Sequence, residues 1–202
     1  MKMNLRFLAL TLLFIAAAGC AGKRTKIDFT LVPERILGDV KQNVRTEKVY
    51  RDLDTILIAD VFYYDQRIKQ DFIQTALTKE WIDAGQAEKM MAESKLNEPK
   101  EVEFLAGVYT GDKRWNDFEK ENSMWKVALQ TPDGGWIAPA SIEKLKLEKM
   151  RDAYLFPFLT EWKFIYRITF PKKELAGAAN YKLRFTSLVG EAAFAWDLGG
   201  AN

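Results

Sequence analysis

The sequence predicts a mainly β protein, an antiparallel β-sandwich interrupted by one helical insertion. Alternation of apolar and polar side chains with a period of two recurs in several short segments separated by turn residues. One stretch, residues 66–96, changes to helical spacing. Of 202 residues, 48% are hydrophobic and 13% aromatic, enough to bury a core and to argue against a disordered chain.

Taken in order, Ile27, Phe29 and Leu31 alternate with Asp28 and Thr30 and predict a first strand with one buried face. Pro33 and the stretch through Asn43 break it. Residues 55–64 (TILIADVFYY) are β-branched and aromatic on both faces, which predicts a central strand covered on two sides, with Asp60 an awkward polar insertion. Ile68, Phe72, Ile73, Ala76 and Leu77 then sit at helical spacing, followed by Trp81, Ala84, Ala87, Met90 and Met91. With Gly85 among the second set, residues 66–96 read as a helical pair or one bent helix, closed by Pro99.

Beyond Pro99 the period returns to two. Val102, Phe104, Ala106 and Val108 form one alternating set, and Trp125, Val127 and Leu129 form another. Thr131-Pro132-Asp133-Gly134-Gly135 is a turn, supplying a fixed φ and then tolerance of positive φ, and Trp136-Ile137 begins the return. Trp162, Phe164, Tyr166, Ile168 and Phe170 make the longest alternation, ended by Pro171. Leu183 and Phe185, then Phe194, Trp196 and Leu198, predict a C-terminal hairpin around Gly190. Residues 139–158 stay open: Leu145 and Leu147 fit a strand, whereas Ser141 with Ile142, Leu145, Lys149 and Met150 fits a helix start. The whole is immunoglobulin-like in architecture. Trp125 resembles the buried Trp of that fold, without its flanking disulfide.

Two absences narrow the chemistry. There is no histidine, and Cys20 is the only cysteine, so Ser-His-Asp, Cys-His and His- or multi-Cys zinc sites cannot be built, nor can an intrachain disulfide. No Gly-rich phosphate loop, dinucleotide fingerprint or nucleophile elbow is present. Glu101 and Glu103 share one strand face, a weak candidate for a glycosidase carboxylate pair and otherwise a solvated face. Asp52, Asp54, Asp60 and Asp65 lack the ligand-dense, Gly-centred spacing of a calcium loop. No catalytic residue, metal or cofactor is expected.

The N-terminus is an address. Lys2 and Arg6 precede the twelve-residue apolar run Phe7–Ala18, too short for a permanent span of roughly 20 residues and suited to a cleaved secretory signal over residues 1–19. The segment Ala17-Ala18-Gly19-Cys20 resembles the lipobox of bacterial lipoproteins, with Ala17 where that family usually has Leu. The resemblance implies that Cys20 is the acylated first residue of the mature chain. Ala21, in place of the Asp that retains such proteins in the inner membrane, implies the outer membrane, facing the periplasm. The plainer alternative is a signal cut after Ala16-x-Ala18, leaving Cys20 as a free thiol in an oxidising compartment. Residues 20–26 read as a tether carrying Lys23, Arg24 and Lys26, and residues 27–202 as a single domain.

Without Lys2 and Arg6 the mature chain carries 28 basic and 28 acidic residues, which argues against nucleic acid as a partner. The sequence therefore points to a non-enzymatic, membrane-anchored interaction or scaffold module of the cell envelope, with an envelope protein as partner. The alternative is a ligand-binding module for lipid, glycan or peptidoglycan. Trp125, Trp162 and Trp196 are in phase with apolar neighbours and are expected in the core, as is Trp81 on the helical stripe. Trp115, in the polar loop 111–117, is either a binding anchor or a cap folded back on the sandwich. Met90 and Met91 are either core fillers or an adaptable partner surface.

Overall fold

The computed structural model describes residues 34–97, 100–146, 156 and 158–197. The signal segment, Cys20 and the tether, the expected strand at 27–31, Pro99, residues 147–155 and Leu198 lie outside the described residues.

Two antiparallel sheets face each other. The larger runs in the order β1-β2-β3-β7-β6, built from β1 (Val44–Arg51), β2 (Asp54–Tyr63), β3 (Glu101–Thr110), β7 (Phe164–Pro171) and β6 (Ser141–Leu145). The smaller runs β5-β4-β8-β9, from β5 (Trp136–Ile137), β4 (Lys126–Gln130), β8 (Asn180–Ser187) and β9 (Gly190–Asp197). Alternation decides what lies between them. Leu57, Ala59 and Val61 of β2, Phe104, Ala106 and Val108 of β3, and Tyr166, Ile168 and Phe170 of β7 all point inward. They meet Val127, Leu129, Leu183, Phe185, Phe194 and Trp196 from the other sheet. Trp125 lies in this core, stacked on Phe118 at 5.6 Å, and Phe104 packs on Trp196 at 5.0 Å. Burying aromatics of this size supplies most of the favourable free energy of such a core.

The expected strands at 55–64, 102–108, 125–129 and 183–196 and the turn at 131–135 are all present. In that turn Gly134 has φ +89° and its N–H bonds to the Thr131 carbonyl at 2.9 Å. Residues 141–145, open on sequence grounds, form a strand on the edge of the larger sheet.

Two elements differ from expectation. The stretch before Asn43 is a helix, α1 (Glu34–Asn43), with Val40 buried against the sheet. Proline ends a strand but suits a helix entrance, so Pro33 just ahead of α1 is compatible with either. β1 gives no apolar alternation to predict it, since its residues VRTEKVYR carry four charges. It is an edge strand, and charge is what keeps such an edge from pairing with other chains.

The larger sheet is covered on its outer side too. The helical insertion is a pair, α2 (Gln66–Thr78) and α3 (Ala84–Asn97). Asp65 caps α2, its Oδ1 accepting from the Ile68 N–H at 2.8 Å. Asp83 and Gln86 make a reciprocal capping box at the start of α3. The break falls at residues 79–83, where Glu80 has φ 59°, and Gly85 lies inside the first turn of α3. Ile68 and Phe72 pack with Val40 on Phe62, Leu105 and Ile165, sealed by Phe156 and Leu159. α3 rests on α2 through Ile73, Ile82 and Ala87, with Met90 and Met91 half-buried in the same cluster. Trp81 does not join the core as expected: it sits in the interhelical turn, 39% exposed.

Candidate functional site

The helices cover only one end of the outer face of the larger sheet. At the other end the cross-strand register lays out two rows of side chains. Thr46, Asp60 and Gly107 face one another on β1, β2 and β3, and Lys48, Ile58 and Tyr109 form the neighbouring row. All of these but Gly107 floor an open groove of about 490 Å³, walled by Thr160, Trp162 and Lys163 from the turn that leads into β7.

The floor is pre-organised. Asp60 is only 6% exposed, and its carboxylate accepts from Lys163 Nζ through one oxygen and from the Thr46 hydroxyl through the other. Lys163 Nζ also donates to the Phe158 carbonyl at 3.1 Å. The polar residue that interrupts the apolar run of β2 is thus an ion pair laid across the sheet. Gly107 leaves room for the crossing. A Cβ there would lie 3.0 Å from Leu159 Cδ2 and 3.3 Å from Lys163 Cδ, so both side chains would have to give by a few tenths of an ångström.

Trp162 was expected in the core and is 83% exposed instead. The reason is local. The Lys163 N–H closes a turn onto the Thr160 carbonyl at 3.0 Å, and β7 starts only at Phe164, so the alternation of Phe164 to Phe170 does not extend back through Trp162. Among the described residues no hydrogen bond or ring contact holds the indole. Tyr109, 37% exposed, stands in the groove beside Ile58. The groove thus offers two accessible aromatic rings, three hydroxyls (Thr46, Thr160 and Tyr109), the cation of Lys48, and the neutralised Asp60–Lys163 pair.

The other candidates fall elsewhere. Trp115 is half-buried against the inter-sheet core, on a 3-10 turn capped by Asp112. Met90 and Met91 lie between the helices, so none of the three is brought to the groove. Glu103 is engaged by Lys69 at 2.7 Å and Arg167 at 3.0 Å, which ties α2 to β3 and β7. The neighbouring cleft, which also takes in Glu101, holds only about 70 Å³, room for a few waters. Of the four aspartates weighed for calcium, Asp60 is paired and Asp65 caps a helix. Among the described residues no three acidic side chains converge on one point. Asp60 was visible in the sequence as an anomaly; Gly107 and Lys163 carried no signal, because only strand register brings them beside it.

Burial pushes the Tyr166 phenol far above the ordinary tyrosine range, with nearby Glu119 adding to the effect. Its hydroxyl donates to Asn116, which in turn donates to the Val108 carbonyl at 2.9 Å. Burial raises Tyr181 as well. Arg114 beside Asp112 holds that surface carboxyl below its usual range. The Tyr166–Asn116 bond fastens the loop after β3 to β7. No protein-family model and no curated protein matches the chain, so the groove is read from its own geometry.

Proposed function

We propose that this chain is a non-enzymatic binding module of the bacterial cell envelope. In this reading it is anchored at the outer membrane by acylated Cys20, faces the periplasm, and takes its ligand in the groove over the larger sheet. Trp162 carries the reading: a large aromatic left 83% exposed beside a buried, neutralised ion pair adds little to folding, and is the kind of anchor that binding sites use. The lining holds one carboxylate, already paired, so the groove lacks the two opposed acids of glycoside hydrolysis. The immunoglobulin-like description belongs to this reading only as architecture, two packed antiparallel sheets with the strand orders given above.

A photo-crosslinking phenylalanine analogue at Tyr109 tests this in intact membranes. An adduct from that position, absent from the same analogue at Trp136 on the opposite sheet, is the expected result. Absence of any adduct from the groove overturns the reading. A second reading, docking on another envelope protein, draws on Leu53 and Leu188. Both are fully exposed at the tips of the β1–β2 and β8–β9 hairpins, which meet where Gly190 abuts Val49. Crosslinks from Leu188 and none from Tyr109 would decide for it.

A further inference from the structure

We infer that the ligand of the groove is a pyranose glycan, its apolar ring face on Trp162 and its hydroxyl rim on Asp60 and Lys163. This rests on the binding-module reading above and names the chemistry of the same site. A sugar ring has two unlike parts, a face of axial C–H bonds and a periphery of hydroxyls that both donate and accept. A site for it needs a flat accessible aromatic beside fixed groups of both hydrogen-bonding senses, in a space open at the ends so that a chain can continue. Trp162 supplies the first, free of hydrogen bonds and ring contacts among the described residues and 83% exposed.

The ion pair supplies the second. A carboxylate has about four acceptor positions and an ammonium three donors. Asp60 uses its positions on Lys163 and Thr46, and Lys163 uses two donors, on Asp60 and the Phe158 carbonyl. Acceptor capacity on Asp60 and a third N–H on Lys163 remain for a ligand, both groups positioned by the bonds already named and the lysine stem passing over Gly107. A neighbouring pair of hydroxyls on one sugar matches that donor and acceptor side by side.

The volume fits as well. The groove, about 490 Å³, falls within the usual range for small-ligand sites of roughly 300–1,000 Å³ and is enough for two or three sugar rings. An acyl chain wants a closed apolar tunnel, whereas Asp60, Lys163, Lys48, Thr46 and Thr160 make five of the eight lining residues polar. Burying a hydrocarbon there would take Lys48 and the remaining donor and acceptor positions of the Asp60–Lys163 pair out of water without replacing their hydrogen bonds.

The experiment titrates the full-length Cys20→Ser chain with three tetrasaccharides: β-1,4-linked N-acetylglucosamine, β-1,4-linked glucose and α-1,4-linked glucose. Calorimetry reads affinity, and saturation-transfer NMR reads which ligand protons meet the protein. Binding of at least one of them at millimolar concentration or tighter is expected, with ring C–H protons saturated most strongly. Trp162→Ala should weaken it roughly tenfold or more, as loss of one anchoring ring does, while Trp162→Phe keeps most of it. Trp136→Ala should leave it unchanged. An N-acetylated preference points to a peptidoglycan-like source, a glucose preference to an envelope polysaccharide. No binding by any of the three, or binding indifferent to Trp162→Ala, overturns the glycan. If the Tyr109 crosslink persists in that case, only the ligand class falls; if both fail, the binding-module reading falls with it.

Discussion

At Asp60 a single residue shows how local chemistry and register combine. A carboxylate in the middle of an apolar strand is costly unless it is paired, and Lys163 reaches it from 103 positions away in the chain. Removing one partner from a buried pair costs about 3–5 kcal/mol. Because Lys163 keeps 16% of its side chain in solvent, Lys163→Ala should fall at the low end of that range in urea unfolding. Pairing it with Asp60→Leu should recover much of the loss, since the stranded charge is then gone. Trp125 makes the opposite case, a side chain whose position was legible from alternation. Buried and stacked on Phe118, it should cost about 3–5 kcal/mol as Trp125→Ala, and a change under ~1 kcal/mol would contradict its placement.

Tyr166 adds a dependence on pH. Its folded pKa is raised, so above about pH 10 the unfolded chain loses a phenolic proton that the folded chain keeps. The unfolded state then binds fewer protons, and stability falls as pH rises from there. The stability that burial of neutral Tyr166 contributes is complete below pH 10 and declines above it, with Tyr181 acting in the same direction. Denaturation midpoints measured across alkaline pH should show this slope, and Tyr166→Phe should flatten it while lowering stability at neutral pH through loss of the bond to Asn116.

At the scale of elements, the helical insertion does two jobs that its sequence could not separate. α2 buries Ile68 and Phe72 on the outer sheet face, and Lys69 clamps Glu103. α3 touches α2 and completes a small cluster of its own. Charged substitutions at Met90 and Met91 should therefore destabilise this outer pair by about 1–3 kcal/mol, the usual range for spoiling partly buried apolar sites. Hydrogen exchange would show α3 loosening while β2 and β3 stay protected. Uniform loss of protection across the sheet would mean that α3 supports the core directly. The period-3.6 pattern made the helices readable, but the break at residues 79–83 was not, because Gly85 attracts attention and Glu80 takes up the left-handed turn.

For the whole molecule, the anchor and the domain make separate predictions. Metabolic labelling with an alkyne fatty acid should mark the wild-type chain, and Cys20→Ser should lose both the label and the membrane fraction; a soluble, unlabelled wild type beginning at Gly19 would refute the anchor. The domain should hold its melting temperature in chelator, since its core is made of aromatic and aliphatic contacts between two sheets.

What the sequence determined by itself is whatever depends on neighbours along the chain. Period-two alternation placed β2, β3, β4, β8 and β9, period 3.6 placed the insertion, and Pro132-Asp133-Gly134 placed a turn, because each follows from backbone geometry within a few residues. The proposed address at residues 1–20 rests on equally local features: charge, apolar length and one cysteine. Only the tertiary structure decided the rest. Whether Trp162 is core or surface depends on where β7 begins, and whether Asp60 is a defect or a fixture depends on Gly107 lying opposite and Lys163 crossing over it. Those relations are set by strand register and by how far the helices extend over the sheet, long-range quantities that no window of the sequence contains.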